Sequence, residues 1–452
     1  MSPEPTSVPG RGPITKRRNR NLVLPISILV GALVGASAGL AVVRPWEAPP
    51  AVPISPNTPD ASAPASPGPS QNSLYFTDLP TQLEPANLLV LVFDYNNGHF
   101  NMSDSKMEKV WADKIFGTGT MDADTASIDD YYKELSGGKF YFKPITVGDN
   151  KSGVYTFHLN KDYSDVQGTN PGWPFHDFSY DVAVAVKSLA DQGLDLSQFV
   201  DEGIDNSNFA DTLIRMWDTP QSGRNPQWYS TSKIMAVFPT YNTAQCDFYP
   251  LTPAIDSFTF VAHINQDSSF GVIAHELMHT LGAIDVYRFG SYGSDLMSTV
   301  TNTVPLPYNL VHVNPFYKMI FDWAQPTIVT ESSEVRLYPA TSDKYNPVIV
   351  RTEDGSQYHI LEYRPADGFD TGLTASGAEG LNVWGIDKVG CESIYNDTRK
   401  GIRLEASLQP NESVELQRYP SDIDLRLSPS GITVTFLSSN DDGSITAKIQ
   451  YP

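Results

Sequence analysis

The sequence is poor in basic residues and has almost no cysteine. Lys and Arg number 31 against 52 Asp and Glu, which gives a formal net charge of −21 over 452 residues. This balance argues against a nucleic-acid partner, because phosphate binding needs clustered basic side chains. The two cysteines, Cys246 and Cys391, have no close neighbour of their kind, so no CxxC metal or redox motif is present.

The two cysteines leave two interpretations open. In an exported protein we expect a disulfide between Cys246 and Cys391, and closing so long a loop would stabilise the fold by roughly 5 kcal/mol. The alternative is a pair of buried free thiols. Because no cysteine precedes Cys246, a thiol from an N-terminal segment cannot cap a metal ion.

The N-terminus has the pattern of a membrane segment. Residues 1–21 are polar and basic, and residues 22–43 contain no charge. A helix of that length spans about 33 Å, enough for a hydrocarbon core of about 30 Å. The positive charge before it indicates a cytoplasmic tail, with the rest of the chain extracytoplasmic. We expect a signal anchor at the cell surface, or a secreted protein if cleavage occurs near residues 36–38.

The remaining chain divides by composition. Residues 44–86 are rich in Pro, Ala and Ser, with little to bury, which predicts a solvated linker. A catalytic domain is expected over residues 87–334. Over residues 335–452, short alternating runs separated by Gly, Asn and Asp predict an all-β, sandwich-like domain.

Hydrophobic spacing predicts several elements within these domains. A buried strand is expected at 88–93, and helices are expected at 127–135, 180–189 and 270–281. Further strands are expected at 139–145, 348–351, 358–363, 431–436 and 444–451.

The central motif lies on the helix predicted at 270–281. His275 and His279 are four residues apart, so both imidazoles can reach one ion from the same helix face. Zinc accepts such ligands and keeps one position for water in catalytic sites, where it lowers the pKa of that water toward about 7. From its place beside His275, Glu276 can act as the general base on this water and then protonate the leaving nitrogen.

The two histidines supply two ligands, and a catalytic zinc ion needs a third from the protein. The sequence argues against a Glu ligand from a following helix, because no Glu occurs between Glu276 and Glu331. Gly282 allows the chain to turn back after the helix, which makes Asp285 the expected ligand. His312 is the alternative.

Two further features are candidate parts of the site. Met297, in the run 295–297, fits a Met turn that forms an apolar floor beneath the metal, although it also fits an ordinary core position. A second cluster is rich in oxygen ligands and is either a calcium site or a solvated acidic loop. It includes Asp201, Asp205, Asn206 and Asn208.

At these motifs the chain resembles the immune-inhibitor-A-like metalloproteases, a family of secreted bacterial zinc peptidases. Besides the zinc motif, the matching pieces occur in the family's order. They are residues 88–94, 127–132, 136–139, 285–287, 295–297, Lys318 with Trp323, 358–364 and 380–387.

The resemblance implies a metzincin-type α/β catalytic domain with one zinc, often with structural calcium, that hydrolyses proteins. Combined with the motif, it predicts an extracytoplasmic zinc metalloendopeptidase acting on protein or peptide substrates. The alternative is a surface-attached binding protein or adhesin that uses a protease-like fold. Chelator-sensitive cleavage of casein distinguishes the two.

Overall fold

A computed structural model of the chain describes the following residues, all of them within Pro67–Pro452. They are 85–117, 126–163, 179–199, 232–239, 245–252, 255–281, 283, 286, 293–298, 310–351, 357–387, 402–418 and 428–452.

Strand β1 (Ala86–Tyr95) is the centre of the first sheet. Residues 88–93 are fully buried, and they alternate between two cores on opposite faces of the sheet. Such a continuous apolar run is typical of a strand with parallel neighbours and both faces covered. The strand predicted at 88–93 is therefore confirmed, with two further residues at each end.

The first sheet has six strands among the described residues, in the order β2-β1-β4-β6-β5, with β3 also paired to β1. All neighbours are parallel except β5 and β6. The added strands are β2 (Phe142–Pro144), β3 (Val154–Leu159), β4 (Ser232–Phe238), β5 (Gln245–Thr252) and β6 (Ile255–Asn265).

Helices cover both faces of this sheet. One face carries the first core, to which three helices before residue 300 contribute together with a shorter helix later in the chain, and the other face carries the second core with one helix. The first three are α1 (Asp104–Phe116), α2 (Ile128–Ser136) and α4 (Phe270–Thr280), and the last is α3 (Ser179–Ala190).

Local sequence determines where two of these helices begin. The Ser127 hydroxyl accepts a hydrogen bond from the Asp130 backbone N–H, and the Asp130 carboxylate accepts one from the Ser127 N–H, forming a capping box for α2. Gly137 ends α2 in a left-handed conformation at φ 62°, which Gly adopts without steric cost. Ser269 caps α4 by accepting from the Val272 N–H at 3.3 Å.

The C-terminal part is rich in strands, as expected. Its first sheet has the order β12-β11-β10-β9-β7, and its second has the order β13-β14-β15-β8. The helices here are α5 (Pro315–Ile320) and α6 (Leu373–Ser376). The strands are β7 (Thr327–Val329), β8 (Ser333–Leu337), β9 (Val348–Arg351), β10 (Gln357–Arg364), β11 (Gly380–Asp387), β12 (Ile402–Leu408), β13 (Ser413–Arg418), β14 (Ser428–Ser439) and β15 (Ile445–Gln450).

The five-stranded sheet is buried on both faces. One face packs against the four-stranded sheet through a third core, which includes Leu361 and Val434. The opposite face contributes Ile360 and Trp384 to the first core, the one that also contains helix α4. Side chains of β10 on this face therefore lie behind the region that carries the zinc motif.

The expected mixture of helices and strands, with a β-rich C-terminal region, is confirmed. The strand predicted at 139–145 is shorter than expected and covers Phe142–Pro144. Residue 140 instead stays bonded to the end of α2, where its backbone N–H donates to the Ser136 hydroxyl at 2.8 Å. The border between 87–334 and 335–452 stays a prediction, and the first core takes residues from both sides of it.

The predicted attachment to a membrane and the cell-surface location require correction. No helix in the described part of the chain is both long and apolar enough to cross a bilayer. The longest, α1, has 13 residues and spans about 20 Å, against the roughly 30 Å of a hydrocarbon core. Residues 22–43, on which the prediction rested, lie outside the described residues. Neither prediction is retained.

Candidate metal centre

Helix α4 presents the three motif residues at one place. Its apolar side chains pack into the first core, and the helix lies against β6. His275 is fully buried, Glu276 is nearly so, and His279 is half-buried. One ligand-type atom from each of the three lies within 4.8 Å of the others.

The two imidazoles meet through one pair of nitrogens. The Nε2 atoms of His275 and His279 are 3.1 Å apart, with the ring planes at 90°. The opposite nitrogens contact backbone oxygens: His275 Nδ1 lies 2.9 Å from the Leu296 carbonyl, and His279 Nδ1 lies 2.8 Å from the Ala283 carbonyl.

These contacts determine the tautomers. A carbonyl oxygen can only accept, so each Nδ1 carries the proton, and in a neutral ring each Nε2 then presents a lone pair. Two lone pairs 3.1 Å apart repel each other unless a proton or a metal ion lies between them. Metal-ligating histidines commonly have their second nitrogen oriented in this way by a carbonyl or carboxylate.

The short segment 293–298 provides the carbonyl that contacts His275. Met297 is fully buried in the first core, and its backbone oxygen accepts from the Val286 N–H at 2.9 Å. The Asp295 carboxylate accepts from the Met297 N–H and from the Asn314 backbone and side chain. The expected turn therefore contacts the zinc-motif helix, while the role of Met297 as a floor stays a prediction.

Asp295 is a fully buried carboxyl. Burial raises its pKa, and the hydrogen bonds from Asn314 and Met297 offset only part of that rise. Asn314 uses its own side-chain oxygen to cap helix α5, accepting from the Tyr317 N–H at 3.2 Å. One amide side chain thus joins the turn to the start of the next helix.

Behind the turn lies a buried ion pair. Arg364 on β10 donates from Nε to Asp370 at 3.0 Å and from Nη1 to the Ser294 carbonyl at 2.6 Å. Burial alone would raise the pKa of Asp370, but the charges of Arg364 and His312 outweigh it and hold that pKa well below its ordinary value. The two partners therefore stay charged while fully buried.

His312, the alternative third ligand, is not brought to the other histidines. Its Nε2 lies 3.0 Å from Glu134, and its Nδ1 lies 3.3 Å from both Asp370 and Lys318. Both ring nitrogens are engaged in this second network. Lys318 also pairs with Glu362 at 3.0 Å.

Several predicted site residues cannot be placed. Asp285 and the turn residue Gly282 lie outside the described residues, as does Cys391. The calcium candidates are also outside them, and Cys246 belongs to β5 without a described side chain. The calcium candidates are Asp201, Asp205, Asn206 and Asn208.

The sequence reasoning missed the residues that support His275 from behind. Arg364 and Asp370 were not singled out, nor was Asn314. One signal was available: Glu362 and Arg364 occupy the same face of β10 as Ile360, and charges on a strand face that is otherwise apolar indicate a buried polar network.

No protein-family model matches this chain, and no curated protein matches it. The interpretation of the site therefore depends on its geometry and on the motif.

Proposed function

We propose that this chain is a zinc-dependent endopeptidase with a metzincin-type catalytic domain, similar to the immune-inhibitor-A-like metalloproteases. The observation that carries the proposal is the facing pair of Nε2 atoms on His275 and His279, 3.1 Å apart. Each ring is oriented by a backbone carbonyl, and Glu276 lies beside the pair.

The donors in this group fit zinc. Zinc prefers imidazole nitrogen together with carboxylate oxygen in tetrahedral sites and has no strong directional demand of its own. His275 and His279 would supply two nitrogens, and Asp285 is the proposed third ligand. The fourth position then remains open, which separates catalytic zinc sites from structural ones.

The proposed reaction assigns one task to each residue. Zinc, when bound, acts as a Lewis acid toward the peptide carbonyl and lowers the pKa of water. Glu276 accepts the proton of the attacking water at its carboxylate and transfers it to the leaving nitrogen. The Leu296 and Ala283 carbonyls hold the two imidazoles in the orientation that turns their Nε2 atoms toward each other.

Replacing Glu276 by Gln tests this assignment. The amide keeps the size and hydrogen bonding of the side chain but cannot take a proton, so we expect casein hydrolysis to fall at least about 100-fold. Zinc content should stay at the wild-type level, because Glu276 is not a proposed ligand. Glu331→Gln, on an exposed side chain, is the matched control.

Two results would contradict the proposal. Near-normal hydrolysis by a zinc-loaded Glu276→Gln protein would remove the general-base role. Wild-type protein that binds zinc but cleaves neither casein nor a peptide library would favour a binding protein with a protease-like fold.

A further inference from the structure

The Leu296 carbonyl contacts His275 Nδ1 at 2.9 Å and so orients the ring, which makes the position of Leu296 itself important. Leu296 is held at its amide as well, because its N–H donates to the His312 backbone carbonyl at 3.2 Å. Arg364 Nη2 donates to that same carbonyl at 3.3 Å. The Arg364 guanidinium therefore contacts the His312 carbonyl, which in turn holds the backbone of Leu296.

The two residues before Leu296 are also held. The Ser294 carbonyl accepts from Arg364, and the Asp295 carboxylate accepts from two donors on Asn314. Three consecutive residues are thus fixed by side-chain or backbone partners outside the turn. All of these groups are buried.

The chemistry of Arg364 suits this task. A guanidinium offers five N–H donors in a rigid fork, whereas an ammonium concentrates its donors at one point. Arg364 uses its fork to join Asp370, Ser294 and His312 at once. A buried ion pair is often no more stabilising than apolar residues of the same volume, so its geometric effect is the more informative property.

We infer that Arg364 and the Asp295–Asn314 pair are positioning residues for the candidate metal centre. They fix the backbone of residues 294–296, and the Leu296 carbonyl then fixes the His275 ring with Nε2 toward His279. The C-terminal sheet, through β10, thereby sets the orientation of a metal ligand on α4. The inference rests on the metal site of the proposed function but not on peptide hydrolysis.

The first test is Arg364→Lys, which keeps a positive charge beside Asp370 but loses the fork. We expect zinc affinity to fall about 10- to 100-fold, the usual effect of disturbing groups that orient a ligand. We also expect a changed visible absorption spectrum with Co²⁺ in place of zinc. The control is Asp129→Asn, which alters a different buried carboxylate, one in α2 that accepts from the Phe142 N–H.

The second test exchanges the partners Asp295 and Asn314. Asp295→Asn places two amide donors against each other and should weaken zinc binding. The double variant Asp295→Asn with Asn314→Asp restores a donor opposite an acceptor, and the new carboxylate at 314 can still cap α5 at Tyr317. Recovery of zinc affinity in the double variant is the expected result, and it shows that a folded protein was recovered.

A metal-free measurement separates this inference from the proposed function. In ¹⁵N NMR spectra of metal-free protein, we expect the His275 Nδ1–H tautomer in the wild type and the exchanged pair, and a mixture of tautomers in Arg364→Lys and Asp295→Asn. Unchanged tautomers, together with unchanged zinc affinity, in both folded single variants would overturn the inference. Loss of hydrolysis alone, with these readouts normal, would count against the inference as well.

Discussion

His275 and His158 lie in opposite electrostatic settings, although both are near acidic side chains. His275 is buried and turns its Nδ1 to a backbone carbonyl, so that its Nε2 faces His279. His158 is more than half exposed and turns both nitrogens to carboxylates, Nδ1 to Asp94 at 3.0 Å and Nε2 to Asp104 at 2.9 Å.

The partner atom therefore decides what each imidazole can do. Carboxylates on both sides favour a proton on both nitrogens, and the hydrogen bond to Asp104, aided by Asp94, raises the pKa of His158 despite the opposing effect of burial. When both nitrogens carry a proton, the ring links β3 to β1 and α1 and has no lone pair for a metal. A carbonyl partner, as at His275, instead keeps one nitrogen available as a ligand.

The largest effect is expected at the proposed third zinc ligand, which would join His275 and His279. If Asp285 is the third ligand, Asp285→Ala should weaken zinc binding by more than about 100-fold and abolish hydrolysis, since a ligand matters more than the groups that orient it. His312→Gln should retain the metal, because His312 contacts Glu134 and Asp370 instead. Equilibrium dialysis followed by metal analysis measures both. The reverse pattern would move the third ligand to His312.

The next effect concerns the buried charges behind the turn. Asp370→Asn removes the nearest carboxylate partner of Arg364 and leaves it Glu362 at 3.9 Å, and breaking a buried pair costs about 3 kcal/mol of the free energy of unfolding. Because the pKa of Asp370 is lowered in the folded state, this contribution is present above its ordinary value of 3.8 and is lost as the pH falls through the lower folded value. Urea unfolding at pH 7 measures the full contribution, and unfolding at pH 3 measures the onset of its loss. Equal stability of variant and wild type at pH 7 would contradict the role of this pair.

The smallest effect is expected at the exposed His158. His158→Gln should lower the free energy of unfolding by less than about 1 kcal/mol, as is usual for solvent-exposed ion pairs. The pKa of His158 is raised, so the difference should be complete below its ordinary value of 6.5 and should disappear as the pH rises through the folded value. Urea unfolding at pH 6 and pH 9 gives the comparison. A larger loss at pH 9 than at pH 6 would show that His158 is not held as a cation.

The sequence predicted those parts of the molecule whose cause is local. The apolar run of β1, the cap of α2 at Ser127 and the two histidines one turn apart on α4 each depend on residues within a few positions. Helix α1 was missed because its buried side chains form a narrow stripe among charged residues. They are Met107, Trp111 and Ile115.

The supporting network could not be predicted, because its contacts join distant parts of the chain. His312 contacts Glu134, 178 residues away, and Arg364 contacts Ser294, 70 residues away. Spacing rules describe one helix or strand at a time and do not indicate which loop carbonyl will face His275. That contact appears only when the face of β10 is packed behind the turn.

The most direct test of the account is the zinc content of the purified protein and the identity of its ligands. We expect wild-type protein to bind one zinc per chain, with imidazole nitrogens at about 2.0–2.1 Å by X-ray absorption. His275→Ala and His279→Ala should each lose the zinc, while His158→Ala should keep it. Zinc that is absent from the wild type after loading and dialysis, or that persists in His275→Ala but is lost in His158→Ala, would contradict the account.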